Sequence, residues 1–193
     1  AVRLSVRWVG TAFDGRPCAG CATFWNGLTA TVRANYLWTP LPGTTFVLIA
    51  GGGAGLGDLP PQSLPSLGGR TLLRAFENNE LLGPLRLYGI VEVRRTLLHG
   101  LNANLSHLVW VRGLQMVLFV AHGRISRTLD PEELMRHESF RGEIGLGLRV
   151  LFDYIGVQPG VLALDVAVPL NRAPNEVGRR APVGVILSVE QTL

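Results

Sequence analysis

Apolar and polar residues alternate one for one through segment after segment of this chain. Val2, Leu4, Val6 and Trp8 interleave with Arg3, Ser5 and Arg7. Ala30, Val32, Ala34, Tyr36 and Trp38 interleave with Thr29, Thr31, Arg33 and Asn35. Ile144, Leu146, Leu148, Val150 and Phe152 interleave with Glu143, Gly145, Gly147 and Arg149. A strand has period two, so each segment carries one greasy face and one wet face. With nearly the whole chain patterned this way and charges on the wet face, the expectation is an all-β fold, an antiparallel transmembrane β-barrel.

Composition agrees with that expectation. The mean hydropathy of +0.28 is high, yet no apolar run reaches the ~18 residues that a membrane-crossing helix needs. A barrel spreads its apolar residues over alternate positions instead. At 193 residues the chain fits one domain, 1–193. The net charge of +4 comes from arginine alone, because the chain contains no lysine. These arginines stand singly on strands or in loops rather than in a patch interleaved with aromatics, which argues against a nucleic-acid partner. No signal peptide opens the chain at Ala1, as in a processed chain or a fragment.

Eight strands are predicted, at about 2–9, 28–39, 44–53, 84–98, 107–123, 141–153, 158–170 and 182–193. Asp130-Pro131-Glu132-Glu133-Leu134 has an N-cap, a proline at the first helical position and early acids, and predicts one short loop helix. Connections 10–27, 54–83, 124–140 and 171–181 are long, whereas 40–43, 99–106 and 154–157 are short. Outer-membrane barrels have long extracellular loops and short periplasmic turns, so both termini are expected on the periplasmic side. Leu87, Val91, Leu118, Val120, Leu164, Val166, Val185 and Leu187 are expected to face lipid. The opposite face collects Arg3, Arg7, Arg33, Arg86, Arg94 and Arg149 against Glu92, Glu143, Asp165 and Glu190, charges that can pair in a confined interior. Trp8, Tyr36, Trp38 and Phe152 fall at strand ends, where an aromatic girdle would sit. The competing reading is a soluble eight-stranded ligand carrier with the apolar face inward. Sorted loop lengths and mixed charge on the polar face favour the membrane.

Segment 66–98 is more specific. Leu67-Gly-Gly-Arg-Thr-Leu-Leu-Arg-Ala-Phe76 precedes a strand with Gly89-Ile-Val-Glu-Val-Arg-Arg95. Then follow Phe119-Val-Ala-His-Gly123, Gly145-Leu-Gly-Leu-Arg149 and Leu162-Ala-Leu-Asp-Val-Ala-Val-Pro169. In this order, over about residues 40–193, they resemble the C-terminal half of the bacterial surface antigen (Omp85) superfamily barrel. That resemblance implies an outer-membrane protein serving protein insertion or secretion, integral to the lipid bilayer and associated with other membrane protein chains. In the family a long loop folds back into the lumen, and an Arg-Gly-Phe/Tyr motif at its tip meets acidic residues on neighbouring strands. Here the resemblance makes Arg74-Ala75-Phe76 the tip and Glu92 a partner, with Asp165 also facing inward.

Three departures from the family pattern stand out. The motif glycine is Ala75, which would be strained if the backbone there needs positive φ. The strand motif Phe-x-Asp-x-Gly reads Phe119, Ala121 and Gly123, so its aspartate is missing. The family barrel has sixteen strands preceded by periplasmic POTRA domains, whereas this sequence shows eight strands and no POTRA segment. An eight-stranded barrel has room only for its own side chains. Either the chain is half of a larger barrel, completed by a second copy or another chain, or segment 54–83 stays outside, or the sequence is an excised portion of a longer one. Loss of transport, leaving a structural barrel that anchors or scaffolds a larger envelope complex, is the alternative function.

No enzymatic constellation is visible, and no cofactor or metal is expected. Cys18 and Cys21 suggest a small loop disulfide in an oxidising compartment, since no second ligand pair accompanies them. The four histidines, His99, His107, His122 and His137, are scattered. Gly51-Gly-Gly-Ala-Gly-Leu-Gly57 lacks the lysine and helix of a phosphate loop and is expected at a strand-to-loop transition.

Overall fold

A computed structural model describes residues 2–10, 26–105, 107–136, 140–171 and 183–191, with the first strand described by its backbone alone. Cys18 and Cys21, and hence the disulfide expected between them, lie outside the described residues. Among the described residues ten strands form: β1 Val2–Gly10, β2 Asn26–Leu41, β3 Thr44–Asp58, β4 Ser66–Leu67, β5 Leu81–Leu82, β6 Leu85–Leu105, β7 Val109–Ser126, β8 Phe140–Tyr154, β9 Gln158–Pro169 and β10 Gly184–Gln191. Eight of them make one antiparallel sheet in the order β1-β2-β3-β6-β7-β8-β9-β10. The two-residue strands β4 and β5 pair with each other inside the long β3–β6 connection. Among the described residues no ladder joins β1 to β10.

The short connections share one end of the sheet, and each is made by local chemistry. Gly43 supplies the positive φ at the β2–β3 turn, braced by Arg95 donating to the Pro42 carbonyl (3.1 Å) and the Thr44 hydroxyl (2.6 Å). At the β6–β7 turn the Asn104 side chain accepts from the His107 amide (2.9 Å) while His107 takes a positive φ. Ile155 and Gly156 turn the chain into β9. At the other end α1, Pro131–Met135, sits in the β7–β8 connection, with Asp130 accepting from the Glu132 amide (2.9 Å) as its N-cap.

Two boundaries differ from expectation. β6 runs on to Leu105 rather than stopping near 98, because pairing with β7 resumes after a bulge at Leu97 and a second irregularity between His99 and Ala103. The glycine-rich segment lies within β3 rather than at its end: Gly51, Gly52, Gly53 and Gly55 all pair with β2. Glycine is tolerated there because neighbouring side chains fill the space. A Cβ at residue 51 would lie 2.5 Å from Tyr88 Cζ, and one at residue 53 would lie 3.0 Å from Arg86 Nε.

The two sheet faces have opposite characters. Leu48, Leu87, Val91, Leu118, Val120, Ile144, Leu146, Leu148, Leu164, Val166, Val168, Val185, Leu187 and Val189 are exposed on one face. The other face buries Val47, Ile49, Tyr88, Ile90, Val117, Phe119, Ala121 and Ala167 with Leu67, Leu72, Leu73, Phe76 and Leu81 from the β3–β6 connection. The core therefore lies between the sheet and its own long loop. A contiguous exposed apolar surface of this extent marks an interaction with lipid or another protein.

Candidate functional site

The β3–β6 connection is the centre of the inner face. Turns stack through it: the Leu72 amide donates to Gly69 O (3.2 Å), Phe76 to Leu73 O (3.3 Å) and Glu80 to Glu77 O (3.1 Å). The Gly69 amide donates back to Phe76 O (2.9 Å), which ties the tip into a compact knot. Leu67 and Leu73 are fully buried against β7, where Gly123 leaves the space that Leu67 occupies: a Cβ there would come within 2.9 Å of it. At the far side Gly184 of β10 touches the tip backbone, because a Cβ would meet Arg74 O at 2.5 Å and Ala75 Cα at 2.8 Å. The loop thus spans the concavity and does not stay outside the sheet, correcting the alternative in which segment 54–83 lies outside.

Arg74 reaches from the tip into a nest of charge. Its guanidinium donates to Glu92 of β6 and lies 3.5 Å from Asp165 of β9. The Phe119 ring sits beneath it, 4.0 Å from ring centroid to guanidinium carbon. Glu92 also accepts from Arg94 (2.9 and 2.6 Å), and Asp165 accepts from Arg149 through both oxygens (2.8 and 3.3 Å). Glu92 and Asp165 are 1% and 4% exposed. A carboxylate buried that deeply is tolerated only when its oxygens are bonded to cations, and here each has two arginines. Phe119 can lie flat under Arg74 because its cross-strand partner is Gly145; Gly147 likewise makes room for its partner Asp165.

The carboxylate that sequence reading did not single out as a site residue is Glu143. It is 0% exposed and accepts the Ala75 amide at 2.6 Å. In the β7–β8 ladder Glu143 stands directly opposite Ala121, where the resemblance leads one to expect an aspartate. A fully buried carboxylate thus stands one strand over from Ala121, whose small side chain leaves the space clear. The cross-strand register holds this signal, and single-strand patterning does not reveal it. The concern over Ala75 also resolves: among the described residues positive φ outside glycine occurs at Asn79, His107 and Ile155, so alanine at 75 carries no backbone strain. At the centre of the cluster Arg74 Nη1 and Glu143 Oε1 are buried without a hydrogen-bond partner.

Phe76, Gly123 and Ala121 contribute packing rather than polar chemistry: Phe76 and Ala121 belong to the core cluster, and Gly123 admits the loop. Three arginines and three carboxylates therefore fasten a loop tip to β6, β8 and β9. Such an arrangement can hold or release a segment. Neither the models of known protein families nor the curated proteins contain a match to this chain.

Proposed function

We propose that the chain is an outer-membrane β-barrel domain of the surface-antigen type, acting in outer-membrane protein insertion or secretion. The observation that carries this reading is the loop tip clamped across the inner face by Arg74, between Glu92 and Asp165. The exposed apolar face is then the lipid-facing surface, and the short-turn end carrying both termini is periplasmic. Tyr36 and Trp38, exposed toward that end with the Trp38 ring tilted against Phe46 (5.5 Å), supply a girdle at the membrane boundary. The loop fills the concavity, which an eight-stranded closure would leave no room for. Lipid cannot satisfy open strand edges. The edges at β1 and β10 therefore pair with further strands, forming a wider barrel.

A second reading has its own support. A tip held by three carboxylates is a fixed plug, and a fixed plug suits a structural barrel that anchors an envelope assembly. Reconstitution separates the two. The full chain is placed in liposomes and the insertion rate of an unfolded outer-membrane barrel is followed by protease protection. Insertion faster than into empty liposomes, and slowed in Arg74→Ala that still enters the bilayer, supports insertion activity. Rates equal to empty liposomes overturn it in favour of the anchor.

A further inference from the structure

We propose that the inner face carries a second site, an oxyanion-binding pocket that takes a phosphate group, between the loop and strands β2 and β6. A cavity of about 560 Å³ lies there, lined by Thr31 and Arg33 of β2, Thr71 and Asn78 of the loop, and Arg86 and Tyr88 of β6, among others. Its volume is within the range of small-ligand sites. None of its described lining residues is acidic. That distinguishes Arg33 and Arg86 from the other inward arginines, since Arg74, Arg94 and Arg149 each contact a carboxylate.

Arg86 is held in place. Its Nη1 donates to Ser66 O at 2.5 Å, and its Nε lies over Gly53, buried and without a hydrogen-bond partner. A buried guanidinium nitrogen with no acceptor is costly, and an oxyanion in the cavity would provide one. Arg33 is half-buried and steadied by Asn35, to whose Oδ1 it donates at 3.1 Å. Thr31 pairs with Gly53 and Gly53 with Arg86, so Arg33 and Arg86 fall in neighbouring rows of one sheet face. The donors at hand are guanidinium, hydroxyl and amide groups, which suit a group that only accepts hydrogen bonds, and the forked arginine geometry suits phosphate.

The group can come from free phosphate or from a lipid headgroup, and one titration series tells them apart. The full chain in an uncharged detergent at low salt is titrated calorimetrically with inorganic phosphate, and separately with short-chain phosphatidylglycerol against phosphatidylcholine. One saturable site for phosphate supports the proposal with a soluble source. Saturable binding of phosphatidylglycerol alone supports it with a headgroup source. In either case Arg33→Gln and Arg86→Gln should each weaken binding by about 10-fold or more, while Arg95→Gln, at the opposite end of the sheet, should not. Should Arg86→Gln lower the melting temperature, the half-buried Arg33→Gln carries the test. Absence of saturable binding for both ligands, or binding unchanged in Arg33→Gln, overturns the pocket.

Discussion

Replacing Glu92 by glutamine should loosen the loop tip without emptying the core. The substitution keeps shape and one acceptor but removes the charge that Arg74 and Arg94 share. Hydrogen bonds to charged groups contribute roughly 1.5–3 kcal/mol each. The Arg94 bond contributes least, because that side chain is about a third exposed and can turn to solvent, so its share is screened. Arg74 is buried, and its one remaining carboxylate is Asp165 at 3.5 Å, whose oxygens already serve Arg149; the weak bond to the Arg70 carbonyl (3.4 Å) and the Phe119 ring do not replace the lost charge. The local opening free energy should fall by about 2–3 kcal/mol, a roughly 30- to 150-fold faster exchange of the Ala75 amide if the loop opens as a unit. Hydrogen exchange read by mass spectrometry on the detergent-solubilised chain measures this directly. Trypsin provides a second readout: with no lysine in the sequence, cleavage is confined to arginines, and the buried Arg74 should become a cut site in the variant. Unchanged exchange at Ala75 together with continued protection of Arg74 would refute the claim that Glu92 holds the tip.

Other perturbations act on separate parts of the same account. Gly184→Val should push the tip away from β10, costing about 1–3 kcal/mol by overpacking and exposing Arg74 to trypsin although no charge is changed; a protected Arg74 would contradict the close approach seen at Gly184. Leu146→Arg, on the outer face, should destabilise the bilayer-inserted protein by roughly 2–4 kcal/mol if that face meets lipid at mid-depth, measured by urea titration in liposomes; a change near zero would count against lipid contact. In the β7–β8 connection Glu133 bridges Ser126 (2.9 Å), the Thr128 amide (3.1 Å) and the Thr128 hydroxyl, and these hydrogen bonds hold its carboxyl below the usual range. A depressed folded value means that the stabilisation is present above the ordinary glutamate pKa and is lost as pH falls through the lowered one. Exchange at Thr128, corrected for intrinsic rates, should therefore rise on acidification in the wild type and lose that dependence in Glu133→Gln.

Period-two patterning makes the eight long strands legible, together with their order and, from β2 onward, the face that the described side chains take. Leu118, Leu146 and Leu187 are exposed, while Phe119, Glu143 and Ser188 are buried, as strict alternation requires. What patterning could not supply is anything that depends on two strands at once. Gly51 and Gly145 read as loop-like residues or plain polar-face positions in sequence. In the sheet they are the floors beneath Tyr88 and Phe119, a role visible only through the ladder. Glu143 was legible as an inward acid, but its bond to Ala75 spans 68 residues of sequence and depends on the loop's path across the sheet. The alternation of β6 is interrupted at Leu97 and again between His99 and Ala103, and the second interruption falls where sequence patterning ends the strand.

The central claim is that the outward leucines and valines meet lipid while the inward face wraps a clamped loop. Spin labels at Leu118, Leu146 and Leu164, in a chain with Cys18 and Cys21 replaced by serine, test it in reconstituted bilayers. The account predicts high collision rates with oxygen and low rates with a water-soluble nickel chelate at all three positions, with Ala121 shielded from both. Ready access of the nickel chelate to the three outward positions would contradict it.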